Sequence, residues 1–325
     1  MSLRCWGIAF PVLLGITVLR AGERDEVRFQ TQPYTPSRTA GHAVYRSEAY
    51  TEPAAPRPIG RPAAQRDTRG FFGRRPDCVV LGECTNLGIN RGHRGRCEIS
   101  VTTRGVSCHG SAPARGVNAV YAMTPIVEGI VALEREVAHD PFLGAGTIAV
   151  TKIESVSGSL NVVPDLCRIV IDRRMTTGET AAGAMDDIRR VAAGASGPGG
   201  TAAVTAAARA ASVELLRYTE RSWTGYQADV GKDYPTWLLD EDHPVVQAGV
   251  AAARLVLGRE PAISRWDFST DGVATMGRHK IPTIGFGPSE ERFAHTVQDQ
   301  VSVDHLMAAT AFYALFPDTV ARMHG

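Results

Sequence analysis

The amino-acid sequence predicts an α/β chain, on three observations. Short apolar runs bounded by glycine or proline alternate, from about residue 76 onward, with stretches whose apolar residues recur every three or four positions. In the middle of the chain these follow one another as strand, helix, strand, strand, helix. In the last third, strand and helix simply alternate, as they do in an α/β layer.

Residues 1–75 stand apart. Positions 5–19 are mostly apolar after Arg4, but a membrane span needs about 20 such residues. Pro11 interrupts the run, and Leu19-Arg20-Ala21-Gly22 is a poor signal-cleavage sequence, so secretion is not expected. Positions 21–76 are rich in proline and arginine and poor in aliphatics. Such a stretch buries too little apolar surface to offset its ordering entropy, and disorder is expected. The six cysteines of the 325-residue chain are scattered without a C-x-x-C pair, and the net charge is +1. That combination points to a reducing, cytoplasmic setting and away from a disulfide framework, nucleic acid or a membrane surface.

The elements follow in order. Cys78-Val79-Val80-Leu81 reads as a buried strand ending at Gly82, and 96–103 alternates with Cys97, Ile99 and Val101 on one face. A helix is predicted over 118–137, with Val120, Met123, Ile126, Ile130, Leu133 and Val137 at helical spacing. Strands are predicted over 146–155 and 167–173, and a helix over 180–193 with Ala184, Ile188 and Val191 inward. The alanine-rich 201–208 fits strand or helix, and a strand is expected there to complete the order. This order is a split βαβ, ferredoxin-like layer. Beyond it come a helix over 244–257, with Pro244 at its start and Gly258 at its end, a buried strand over 281–286, and a helix over 303–316.

Two residues stand where α/β layers carry function, after strands. Glu83 follows the first apolar run. His295 follows the Gly285-Phe286-Gly287-Pro288 turn. A carboxylate and an imidazole on strand-end loops suit a borderline cation such as zinc, although each alone is also an ordinary loop residue.

The segment 76–85, Arg91-Gly92-His93-Arg94-Gly95, 105–113, Asn161-Val162-Val163-Pro164, Asp172-Arg173-Arg174 and the 286–295 tract occur in one order. Together they resemble the acetylornithine deacetylase and succinyl-diaminopimelate desuccinylase family of dinuclear zinc amidases and peptidases, over roughly 75–318. The resemblance implies an α/β catalytic domain, here incomplete, with an inserted ferredoxin-like dimerisation domain. The divisions expected are 1–75 atypical, 76–92 catalytic, 93–210 dimerisation and 211–325 the rest of the catalytic domain. It implies Glu83 and His295 as ligands to the two zinc ions, and His109 as the residue that one protomer lends its partner to steady an oxyanion. Asn161 and Arg174 match residues that hold the substrate's carboxylate or carbonyl, and Asp271 a substrate-side position. The substrate class is an N-acyl amino acid or small peptide, and the assembly a homodimer.

Each residue keeps a plainer alternative. Asn161 can hold the turn into Pro164, Arg174 can pair with Asp172, and Asp271 can cap a helix near Val273. The family also uses a His-x-Asp motif, a bridging aspartate and a Glu-Glu pair carrying the general base, all before the position of Glu83. Residues 1–76 hold neither motif, and His42 is their single histidine. Glu290-Glu291 lies after the core motifs. Cys84 replaces the family's usual proline, and Gln298-Asp299 its usual Asn-Glu. The expectation is therefore double: a metal-dependent amide hydrolase, or a truncated, inactive remnant with an altered start upstream of Arg75 that keeps the dimerisation module. The remnant is also expected to expose apolar sheet surface around Val79, Val80 and Ile284.

Overall fold

The structure, a computed structural model, describes residues 4–8, 18–20, 75–196, 201–222 and 225–323. Two short strands come first, β1 (Arg4–Ile8) and β2 (Val18–Arg20). The disorder expected for the rest of the amino-terminal segment lies outside the described residues. β3 (Cys78–Leu81) is buried along its length, as its uninterrupted apolar run requires. β4 (Ile89–His93) is buried too, although it carries Asn90, Arg91 and His93.

Only Arg94 separates β4 from β5 (Gly95–Arg104), on which Cys97, Ile99 and Val101 share the core face. α1 (Ala119–Leu133) starts where the Asn118 side chain accepts the backbone N–H of Val120 and Tyr121. It stops short of the predicted 137, in a 3₁₀ turn at Glu134–Glu136. β6 (His139–Asp140) and β7 (Gly144–Ala145) make a small hairpin. Its turn is held by Asp140 Oδ1, which accepts from the N–H of Phe142 (2.8 Å) and Leu143 (2.7 Å). β8 (Thr147–Val156) and β9 (Leu166–Met175) pair antiparallel. Thr180 caps α2 (Ala181–Gly194), and Thr201 caps α3 (Ala202–Arg209). The 201–208 stretch is thus a helix rather than the expected strand, as the high helix propensity of alanine favours. The closing strand is β10 (Ser212–Leu215).

The sheet runs β10-β5-β9-β8, the strand order of a ferredoxin-like layer. α1, α2 and α3 cover one face around Met123, Ile126, Ile130, Ile169, Ile171 and Ile188. Val191 is only partly buried at the edge of this core.

β11 (Arg217–Tyr218) and β12 (Val230–Gly231) pair with each other, β13 (Asp233–Tyr234) with β5, and β14 (Trp237–Leu238) with β4. α4 (Pro244–Leu257) has Pro244 in its first turn and ends at Gly258, whose φ of +64° is the left-handed stop that glycine adopts without strain. β15 (Ile263–Trp266) runs parallel to β4, and a π-helical turn spans Val273–Arg278. β16 (Thr283–Gly285) is shorter than the predicted 281–286. α5 (Val303–Met323) runs past the predicted 316 and through Pro317. Burial of Phe316 and Val320 on either side of Pro317 holds the helix together there.

The second sheet runs β14-β4-β16-β3-β1-β2, with β15 also on β4. The expectation of exposed apolar surface on it is overturned: Val79 and Ile284 are fully buried and Val80 nearly so. α4 and α5 cover Val80 and Ile284 together with Phe286, Phe312 and Phe316. On the opposite face Val79 and Leu81 pack against Trp237, Trp266 and Ile281. The two faces are closed by residues distant in sequence, which is why the local pattern around 79–80 does not reveal their cover. No helix of the described residues is long and apolar enough to cross a membrane.

Candidate functional site

β3 and β16 are parallel neighbours in register Thr283–Val79, Ile284–Val80, Gly285–Leu81, so their carboxyl ends open side by side. Glu83 leaves one of them and the Gly287–His295 loop leaves the other. Backbone bonds stitch the loops together: Leu87 N–H donates to Gly287 O (3.0 Å) and Asn86 N–H to Ser289 O (2.7 Å). The Thr85 hydroxyl accepts from Gly287 N–H at 3.0 Å. The approach leaves no room for a side chain at Gly287, where a Cβ would lie 2.1 Å from the Glu83 carbonyl oxygen. Beneath the loop, Trp266 donates its indole N–H to the Cys84 carbonyl (2.9 Å).

Left-handed backbone at non-glycine residues concentrates here. Asn86, Leu87, Ser289 and His295 have φ between 53° and 66°. Such conformations cost free energy and persist where surrounding contacts over-determine them, often at functional loops.

The electrostatics also converge. Burial raises the pKa of Glu83, the charge of Asp271 raises it further, and His295 opposes both. Burial likewise raises the carboxyls of Asp271 and Glu291. The Cys84 thiol is pushed up to about 11, by burial first and then by Glu83 and Glu291, so it is not a nucleophile at neutral pH. Glu83 thus lies close enough to Asp271 and to His295 to feel the charge of each. Such a cluster of perturbed carboxyls marks a functional-site candidate.

Asp271 does not serve as the helix cap that its sequence position allowed. The Thr270 hydroxyl accepts the Gly272 N–H instead (3.2 Å). Glu291, half of the Glu-Glu pair passed over in the sequence, accepts the Asp267 N–H at 3.3 Å and acts on the Cys84 thiol. Spacing gave no signal for it, because the fold of the 286–295 loop brings it back.

Arg174 lies on β9 of the other sheet, and His109 and Asn161 lie on loops of the same layer. Among the described residues no hydrogen bond or ion pair joins them to Glu83, Asp271 or His295. His109 and Val162 form a β-bridge, which sets His109 beside Asn161. The backbone N–H of Ser111 can only donate, and it reaches His109 Nδ1 at 3.1 Å. Nδ1 is therefore an acceptor, and the Ser111 hydroxyl also lies 2.7 Å from it. The Asn161 amide lies 3.4 Å from Nε2. The atom facing Nε2 is the amide nitrogen, while the amide oxygen accepts from the Ser159 hydroxyl. Asn161 thereby orients an exposed histidine and also binds Gly110 N–H through its backbone carbonyl (2.6 Å). Arg174 donates to Asp172 at 2.6 Å, and Arg96 reaches the same carboxylate at 2.7 Å. Arg174 is therefore a paired residue on the outer sheet face.

A zinc site takes three or four protein ligands. Among the described residues no three of His, Cys, Asp and Glu are grouped to hold a metal ion. Glu83 and His295 do not complete a zinc site by themselves.

Comparison with known proteins agrees with this architecture. Residues 91–200 match the M20 family described as a peptidase dimerisation domain. The chain carries an M20 dimerisation domain, and the solved structures whose fold it shares include M20 peptidases. It is 43% identical over 246 residues to an uncharacterized protein of Escherichia coli, YgeY, covering 75% of this chain and 58% of that relative. The chain thus spans little more than half the length of that relative. A shorter match, 37% over 70 residues, is to acetylornithine deacetylase of Pectobacterium carotovorum, covering 21% of this chain and 18% of that enzyme. Aminopeptidase PepT of Bacillus cereus shares the fold at a TM-score of 0.53 and 19% identity, over 76% of this chain and 58% of that one. So does the YXEP protein of Bacillus subtilis, described as a dinuclear metal binding peptidase from the M20 family. It matches at a TM-score of 0.51 and 15% identity, over 79% of this chain and 59% of that one.

Proposed function

We propose that this chain is built on the plan of a dimeric, zinc-dependent amide hydrolase of N-acyl amino acids or small peptides. The observation that supports it best is that Glu83, just after β3, feels the charges of Asp271 and of His295, the latter on the loop that follows the adjacent parallel strand β16. In this reading Glu83 and His295 are two members of a ligand set. His109, oriented by Asn161, faces a partner's site, and Arg174 turns from Asp172 to a substrate carboxylate. The parts of the plan are 76–92 and 211–325 for the catalytic layer and 93–210 for dimerisation, in a cytoplasmic protein. A homodimer is supported by the M20 dimerisation match and by the edge position of β8, which among the described residues is unpaired on its outer flank and exposes Ile153 and Val156.

A second reading has its own observation. With no third ligand grouped among the described residues, the chain by itself dimerises but does not turn over. For the purified chain we favour this outcome. Metal analysis after purification in zinc should find well below one ion per chain, against about two for a complete dinuclear site. Assays on N-acyl amino acids and dipeptides should show no zinc-dependent hydrolysis. Two bound ions, with turnover lost in His109→Ala, would reject the silent reading and establish the enzyme.

A further inference from the structure

Arg91-Gly92-His93-Arg94 forms the end of β4 and the passage into β5, and Arg91 donates there to the Leu239 carbonyl at 2.5 Å. Three guanidinium groups gather there under the β6–β7 hairpin. Arg91 lies 3.7 Å over the ring of Phe142. Arg94 donates to the Ala145 carbonyl at 2.9 Å. Arg265, on the neighbouring β15, places Nη2 3.5 Å from where a Cβ on Gly144 would stand. The arginines come from one sheet and the hairpin from the layer of the other.

Their counter-charges are poorly matched. Arg91 stands 3.7 Å from Glu241, Arg94 3.5 Å from Asp267, and Arg265 3.7 Å from the same Asp267 oxygen. Those distances are at or beyond hydrogen-bond reach. The side chains of Glu241 and Asp267 are 61% and 64% exposed, so water holds them as well as the arginines do. Elsewhere in the molecule the arginine and lysine pairs are tight: Arg96–Asp172 at 2.7 Å and Lys232–Glu98 at 2.6 Å, with carboxylates 18% and 13% exposed. Glu291 is the remaining acid that feels Arg94 and Arg265.

The shortage is visible atom by atom. The Nε–H groups of Arg91, Arg94 and Arg265 are all buried with no acceptor, and Arg91 itself is only 9% exposed. A buried charged donor without an acceptor is costly, and a cluster of them calls for an unfilled partner. Guanidinium groups bind planar or tetrahedral oxyanions through paired N–H bonds.

We propose that Arg91, Arg94 and Arg265 form an oxyanion site beneath the β6–β7 hairpin, taking one carboxylate or phosphate group and thereby tying the two sheets together. The site stands whether or not the chain hydrolyses amides.

The test is binding to the full chain at constant ionic strength, by calorimetry and thermal unfolding, with inorganic phosphate, malonate and a chloride control. Phosphate or malonate should bind saturably and raise the melting temperature, and whichever binds identifies the oxyanion. Arg265→Gln should weaken binding about tenfold, and Arg91→Lys, which keeps the charge but loses the fork, should weaken it several-fold. Arg254→Gln, at the exposed pair with Glu260, should bind as the parent does. Neither anion exceeding chloride, or undiminished affinity in Arg265→Gln, overturns the proposal. Arg265 is partly exposed, so its variant keeps the test open if Arg91→Lys fails to fold.

Discussion

At the residue scale, His93 shows what burial does to a titrating group. It is fully buried, its Nδ1 sits 2.8 Å from the Arg94 carbonyl, and its ring stands edge-on to Trp237. Burial lowers its pKa to about 4, against hydrogen bonds that raise it. A histidine with a depressed folded pKa binds its proton in the unfolded chain first, so stability falls as pH drops from about 6.5 toward 4. By pH ~4.5 this one residue should cost roughly 2–3 kcal/mol. Denaturant titrations of the parent and His93→Phe at pH ~7 and ~4.5 should show a smaller acid loss in the variant by about that amount. Gly287 gives a second prediction. With the Glu83 carbonyl 2.1 Å from its absent Cβ, Gly287→Ala must push the two site loops apart, at a cost of about 1–3 kcal/mol in chemical unfolding. Its glycine identity was legible in the Gly-Phe-Gly-Pro turn; the backbone that forbids a side chain was not, because Glu83 lies far away in sequence.

At the scale of elements, β8 and α4 make opposite cases. α4 was legible nearly to the residue, because Pro244 and Gly258 act through local backbone geometry. Gly258→Val, which forces a β-branched residue to a φ of +64°, should destabilise by about 1–2 kcal/mol, read from the midpoint of urea unfolding. β8 was legible as a strand, while its place at the edge of the sheet came only with the strand order β10-β5-β9-β8. If that edge carries the dimer, Ile153→Lys, on a side chain 60% exposed, should shift light-scattering mass from dimer to monomer with little change in monomer stability. An unchanged dimer would place the interface elsewhere. The alanine-rich α3 and the extension of α5 through Pro317 were the elements least determined locally: one fits two periodicities, and the other is held by buried neighbours on both sides of a helix breaker.

For the whole molecule, two sheets meet at Arg94, and the chemistry gathers on either side of that joint. One layer presents His109 and Asn161 on an exposed loop. In the other, Glu83 lies within electrostatic reach of Asp271 and of His295. The sequence by itself determined the split βαβ order, the helix and strand periods and the strand-end placement of Glu83 and His295, since these depend on neighbours a few residues apart. The family likeness rested on motifs as short. Only the tertiary structure decided that Val79, Val80 and Ile284 are covered and that Arg174 is held by Asp172. It alone brought Glu291 to the Asp267 backbone, and it alone gathered three arginines beneath one hairpin. The reason is common to all of these: burial and charge are set by residues that approach through space, and a one-dimensional pattern records the period of an element but not what it meets.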